Sequence, residues 1–183
     1  MDGRTVSYSR ITITELMIPA YANFGGKIHG GVLLSLMDKV AYACASKHAG
    51  NYCVTVSVDT VNFLQPVEVG DLVSLKASVN YVGNSSLVVG ISVIAEDVRT
   101  ATVKHTNTSY FTMVAKSDDN EKAIVPPLIL EGDDDIRRFL AALKRKRLRS
   151  YAKGKMDAYQ KEFKLDDAVL SILDDQRCSV SLG

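Results

Sequence analysis

The chain has 183 residues, 46% of them hydrophobic and 23% charged, a composition that excludes a disordered or collagen-like protein. Folding at this length buries roughly 70% of the surface that the unfolded chain exposes, so we expect one domain with a true core, plus an appendage. The 22 basic and 21 acidic residues leave a formal net charge of +1, which gives no argument for a nucleic-acid partner.

The apolar segments and the cysteines indicate in which cellular compartment the protein resides. No apolar run approaches the roughly 20 residues that cross a bilayer, and residues 1–9 lack the pattern of a signal peptide. The three cysteines are odd in number and lack the spacing of a metal site. We therefore predict a cytoplasmic protein with buried, reduced thiols, no membrane insertion and no bound metal.

The first predicted elements are a strand over Val6–Thr14, a glycine-rich loop over residues 22–31 and a helix over residues 30–49. The helical segment has no proline and no glycine after Gly31, and it ends at Gly50, a good C-cap residue. Its apolar side is wider than that of an ordinary surface helix. We therefore predict a mostly buried central helix.

Four further strands are predicted after the helix, the earlier ones from the alternation of apolar and polar residues and the last from its content of threonine and aromatic residues. The first begins at Val54 and changes phase near Asp59–Thr60, which predicts a bulge. The others cover Leu72–Val82, Leu87–Ala95 and Thr100–Ala115, and the turn at Gly83 predicts a hairpin between the first two of them. Consecutive strands on short turns favour an antiparallel sheet wrapped around the helix, an α+β fold.

The C-terminal part has a different composition. Residues 116–135 form a turn-rich, acidic connector, and residues 136–150 have apolar positions at helical spacing with acidic residues before them and basic residues at the end. We predict a domain over residues 1–125 and a charged helical extension over residues 126–183. The basic run 144–149 is either a solvated helix face or a contact for phosphates.

Two segments contain residues suited to catalysis. The glycine-rich loop leads into a helix whose first N–H groups are suited to an oxyanion, although glycines also make simple tight turns. Asp38 lies at the border of the polar face of the helix. If its carboxylate is desolvated, it is suited to act as a general base or a nucleophile; if it is hydrated, it is a surface residue paired with Lys39. His29, His48 and His105 lack the spacing of a metal site, and Cys44 on the apolar face is predicted to be inert packing.

Three blocks carry a resemblance to a known family: Ala-Asn-Phe-Gly-Gly-Lys-Ile-His-Gly-Gly at residues 22–31, Leu-Met-Asp-Lys-Val-Ala at residues 36–41, and Val-Asp-Thr-Val-Asn-Phe-Leu-Gln-Pro-Val-Glu-Val-Gly-Asp at residues 58–71. With the hairpin Val-Gly-Asn-Ser-Ser at residues 82–86, their order and spacing resemble the acyl-CoA thioesterase group of the hotdog-fold superfamily over about residues 5–150. No single block would be specific.

The resemblance implies hydrolysis of acyl-CoA to a free acid and CoA, without a metal or an organic cofactor. Residue by residue, Asp38 matches the catalytic acid of the group and Asn23 its catalytic amide. The implied substrate-binding residues are those of the helix start and of the hairpin turn: Gly30, Gly31, Asn84, Ser85 and Ser86. The resemblance also implies a hotdog fold and a homodimer paired edge to edge, with a trimer of dimers as the larger assembly.

Two other functions stay open at this point. A hotdog dehydratase or hydratase also binds acyl thioesters but relies on a catalytic histidine with an acidic partner, and His29 is the only histidine near the loop. A non-catalytic acyl-CoA sensor would bind the same ligand without turnover.

Overall fold

The computed structural model of the chain describes residues 2–173 and 175–181. The chain forms two compact units, residues 1–143 and 144–183. The boundary between these units lies within a long helix, and the division into domains at residue 125 stays a prediction. Among the described residues, no helix combines the length and the hydrophobicity needed to cross a membrane.

The first unit is a five-stranded sheet with one long helix. In chain order its elements are β1 Arg4–Thr5, α1 Val6–Ser9, β2 Ile11–Leu16, a 3₁₀ turn at Pro19–Tyr21, α2 Gly30–Ala49, β3 Tyr52–Val58, β4 Asp71–Val82, β5 Ser86–Asp97, β6 Thr102–Lys116 and β7 Leu128–Ile129. The curved sheet is antiparallel throughout, in the order β2-β4-β5-β6-β3, and β1 pairs with β7 separately. The predicted α+β architecture is confirmed.

Helix α2 lies against the inner face of this sheet, with the predicted bounds. The His29 ring accepts the N–H of Gly31 at its start, and Gly50 ends it in the left-handed conformation at φ 71°. Nine of its twenty residues are buried, and all of these except His48 form the core with inward side chains of the strands. The opposite side, with Leu34 and Tyr42, is exposed in the single chain, so the helix is less buried than predicted.

Two local predictions are wrong. Residues 6–9 form a helical turn rather than the start of a strand, because the Thr5 hydroxyl caps the turn by accepting from the N–H of Tyr8. The bulge in β3 lies between Thr55 and Ser57, and the strand ends at Val58. The alternation of Val61 and Phe63 therefore belongs to a loop, where it does not indicate a strand.

Helix α3, Asp133–Glu162, is twice as long as predicted, and α4, Asp167–Ser171, follows it in the second unit. The longer helix contains a single glycine, Gly154, and no proline after residue 150, so nothing in that stretch ends it strongly. Three aspartates in its first turn complement the helix dipole, as predicted.

Candidate active site

Asp38 lies on the exposed side of α2 and is joined to the edge strand β3. The Thr55 hydroxyl donates a hydrogen bond of 2.6 Å to Oδ1 of Asp38. Both residues line a groove of about 350 Å³ between α2 and β3, with Lys39, Tyr42 and residues 52–54 as its other lining residues. Among the described residues, Oδ2 of Asp38 has no hydrogen-bond partner, so one oxygen is fixed and the other is available to a proton donor.

Thr55 was not predicted as a site residue. Its position in the alternation of β3 places it on the polar side of the strand, but the sequence does not say which helix residue that side meets. The register of β3 against β6 identifies Thr55 as a site residue: Thr55 pairs with Met113 of β6, and the Met113 sulfur is 3.3 Å from the Thr55 hydroxyl. The pairing holds the threonine beside the helix turn that carries Asp38.

The glycine-rich loop is closed on itself and presents Asn23. The Asn23 side-chain oxygen accepts the N–H groups of Gly25 and Lys27, at 2.9 and 3.2 Å. The Lys27 ammonium pairs with Glu68 at 2.6 Å, which ties the loop to the segment before β4. With its oxygen occupied, Asn23 offers its side-chain N–H₂ group as a donor toward solvent.

The helix start is less open than predicted. The Gly31 N–H donates to Nδ1 of the His29 ring at 2.9 Å. The Phe63 ring covers Gly30, where a Cβ would lie 3.3 Å from the ring. A carbonyl oxygen binding here must therefore replace the imidazole as acceptor of the Gly31 N–H, which makes the His29 rotamer part of any oxyanion hole at this position.

The turn at Asn84, Ser85 and Ser86 lies at the same end of the sheet as Thr55. Ser86 of β5 and Val54 of β3 both pair with Val114 of β6, from its two sides, so two strand spacings separate them, about 10 Å. The carbonyl groups of Asn84 and Ser85 are already used by backbone N–H groups of Val125 and Ala115. These two hydrogen bonds tie the turn to the end of β6 and to the segment before β7.

The structure brings Asp38 together with Thr55, but it leaves Asn23 in a separate loop. Among residues 2–173 and 175–181, no hydrogen bond joins Asn23 to Asp38. Both side chains are exposed in the single chain. In one copy of the chain the amide and the acid therefore lie on separate elements, with no hydrogen bond between them.

The other reactive side chains are not arranged for catalysis. Burial raises the pKa of the Cys44 thiol to about 12, so it stays protonated at neutral pH, and burial also raises the pKa of Cys53, which lines the groove. Burial chiefly lowers the pKa of His48, whose Nε2 lies 3.1 Å from the carbonyl of Pro126. Within the described part of the chain, no group of three potential metal ligands exists.

Comparison with known proteins gives the family. A model of the thioesterase superfamily matches residues 25–113. The protein VdlD of Helicobacter pylori is 43% identical over 146 residues, which cover 80% of this chain and 83% of that protein. YkhA of Bacillus subtilis, named an uncharacterized acyl-CoA thioester hydrolase, is 32% identical over 79% of this chain and 84% of its own.

Solved structures agree in fold. The acyl-CoA hydrolase of Bacillus cereus superposes with a TM-score of 0.80 at 31% identity, covering 90% of this chain and 100% of that one. An acyl-CoA hydrolase of Staphylococcus aureus, solved with butyryl coenzyme A, coenzyme A and coenzyme A disulfide, has a TM-score of 0.76 at 29% identity and covers 87% and 99%. An apo-hexameric acyl-CoA thioesterase has a TM-score of 0.81 at 31% identity and covers 84% and 98%. The chain therefore belongs to the acyl-CoA thioester hydrolase family of hotdog-fold thioesterases.

Proposed function

We propose that this chain hydrolyses the thioester of acyl-CoA to a free carboxylic acid and CoA, with Asp38 as the general base. The observation that carries the proposal is the short hydrogen bond from Thr55 to Asp38, which holds one carboxylate oxygen and leaves the other available in an open groove. No metal or organic cofactor takes part in this reaction scheme. A homologue named cytosolic supports a cytoplasmic location.

Hydrolysis proceeds by general-base catalysis through a tetrahedral intermediate. Oδ2 of Asp38 takes a proton from water while the water oxygen attacks the carbonyl carbon, and the negative charge moves to the carbonyl oxygen. The Asn23 amide positions the attacking water or the carbonyl group, and the N–H groups of the helix start stabilise the negatively charged oxygen. The carbon–sulfur bond then breaks, and the proton held by Asp38 passes to the leaving thiolate. In the alternative route the carboxylate itself attacks and water hydrolyses the resulting anhydride.

Residue spacing supports these assignments. The Staphylococcus aureus hydrolase was also solved as three variants, in which an aspartate, an asparagine or a threonine is replaced by alanine. In that chain the aspartate follows the asparagine by 15 positions, and the threonine follows the aspartate by 17. Asn23, Asp38 and Thr55 have the same two spacings here. The match includes Thr55, which was found from geometry alone.

We further propose that the site is shared between two copies of the chain. Within the described residues, strand β3 pairs with β6 alone, and its side chains Val56 and Val58 are 59% and 40% exposed. Phe24, next to Asn23 at the tip of the loop, is fully exposed, which is costly for a phenylalanine without a partner. A homodimer paired through β3 would bring Asn23 of one copy toward Asp38 of the other, and the hexameric neighbours support a trimer of dimers.

The alternatives are less well supported. A dehydratase would pair a histidine with an acid, whereas the His29 ring accepts a backbone N–H and contacts no carboxylate among the described residues. A non-catalytic sensor would need no positioned base, whereas Thr55 positions Asp38.

The experiment is a thiol-release assay with acetyl-, medium- and long-chain acyl-CoA. We expect turnover by the wild-type protein and a loss of at least ~100-fold in kcat for Asp38→Asn. Asp133→Asn, which removes an exposed carboxylate at the start of α3 that does not line the groove, is the matched control and should keep full activity. Tight binding of acyl-CoA with no thiol release would establish the sensor instead, and water addition to an enoyl-CoA with the thioester intact would establish the hydratase.

A further inference from the structure

A second and larger groove lies on the outer face of the sheet. Along β4 the side chains of Leu75, Ala77 and Val79 point into the core, so Lys76, Ser78 and their alternating neighbours face the other way. The groove on that outer face has a volume of about 530 Å³, within the range of small-molecule sites. The sheet therefore separates it from the groove that holds Asp38.

The floor of this groove is polar and fixed. Asn80 and Ser78 are buried to 5% and 7% exposure, and Nδ2 of Asn80 donates to the Ser78 hydroxyl at 3.1 Å. Gly90 on the neighbouring strand leaves room for this amide, because a Cβ there would collide with Oδ1 of Asn80 and lie 3.3 Å from the Tyr110 ring. A carboxamide, a hydroxyl and an aromatic ring are thus held together at the bottom of the groove.

The walls of the groove are basic. Its lining includes four cationic side chains and no acidic one: Arg10, Lys76, Arg137 and Arg138. Asp134 pairs with the last two arginines, and Asp135 lies 3.7 Å from Arg10, so two carboxylates offset four positive charges. Lys76 has no ion-pair partner in the described part of the chain.

We propose that this outer groove binds a phosphate-bearing small molecule up to the size of a mononucleotide, at a site distinct from the thioester site. The guanidinium forks and the free ammonium match phosphate oxygens, which are best bound by several converging N–H donors. The Ser92 hydroxyl lines the groove and adds a neutral donor.

Binding is tested on the full chain by titration calorimetry at low ionic strength, with pyrophosphate, ADP and CoA as separate probes. We expect saturable binding of one phosphate-bearing molecule per chain, weakened about tenfold by Lys76→Gln and by Arg138→Gln, since each removes one charge-assisted contact. Lys122→Gln, which removes an exposed cation outside the groove, is the matched control. Tighter binding of ADP than of pyrophosphate identifies a nucleotide, and equal affinity identifies the phosphate groups alone as the recognised feature.

The location is tested by the amide resonances of Gly90 and Ser92, which should shift on titration with whichever probe binds. Binding that is unchanged in both groove variants, or equally weakened in Lys122→Gln, would overturn the proposal, as would the lack of saturable binding by any of the three probes. CoA that still binds with full affinity to both groove variants is bound at the thioester site, so failure here leaves the hydrolase assignment standing.

Discussion

Replacement of Thr55 by valine removes the hydroxyl that holds Asp38 while keeping the shape of the side chain. A hydrogen bond to a charged group is worth about 1.5–3 kcal/mol, and about 1.4 kcal/mol corresponds to tenfold in rate. Because Thr55 is exposed in the single chain, water competes for the carboxylate and the lower end of this range applies. We expect kcat to fall about tenfold with KM nearly unchanged, since Thr55 orients the base rather than the substrate.

The assay is steady-state thiol release with one acyl-CoA, together with thermal unfolding of each variant. Thr55→Ser keeps the hydroxyl and should retain most of the rate. Thr14→Val removes a hydroxyl that meets Ser74 on the outer face of the sheet, and it should leave kcat unchanged. Full activity in Thr55→Val, or an equal loss in Thr55→Ser, would refute the positioning role, and a loss that tracks the melting temperature would show only a structural one.

Three further predictions follow from contacts in the first unit. Phe24→Ser should reduce the assembled mass in sedimentation experiments while leaving the far-ultraviolet circular dichroism unchanged, and an unchanged mass would contradict the shared site. Met37→Ala should lower the free energy of urea unfolding by about 2–5 kcal/mol, because Met37 is fully buried in the core, and a cost below about 1 kcal/mol would contradict that packing. Because burial lowers the pKa of His48, the unfolded chain binds more protons than the folded one below about pH 6.5, and stability should fall as the pH drops through that point. In urea titrations at several pH values, His48→Gln should weaken the dependence of the unfolding free energy on pH. If that dependence is unaltered, it arises from other titratable groups.

Much of the fold could be predicted because local signals agreed with the tertiary structure. The bounds of α2 follow from the glycines at both ends. The alternation of apolar and polar residues in β4 and β5 indicates that each strand buries one face. The prediction failed where a single side-chain contact decided the outcome. The Thr5 cap turns residues 6–9 into a helix, and the register of β3 against β6 places the bulge earlier than the sequence pattern does.

The sequence predicts which residues carry the functional groups of the candidate site, but not the contacts that position them. Asp38 stands out as a carboxylate on an otherwise apolar helix, and Asn23 was assigned from the resemblance of its block. Thr55 is an ordinary strand residue until the sheet places it 2.6 Å from Asp38. The hydrogen bond from the Gly31 N–H to the His29 ring likewise depends on a side-chain rotamer, which the spacing of residues in the sequence does not predict.

If the acid and the amide act across a subunit boundary, two inactive proteins regain activity when they are mixed. Asn23→Ala and Asp38→Ala are each expected to be inactive, but random exchange between dimers gives mixed dimers in half of the population, each with one intact site. We expect recovery of about a quarter of the wild-type rate of thiol release after exchange. No recovery, with exchange verified by differently tagged chains, would place both groups in one subunit and contradict the shared site.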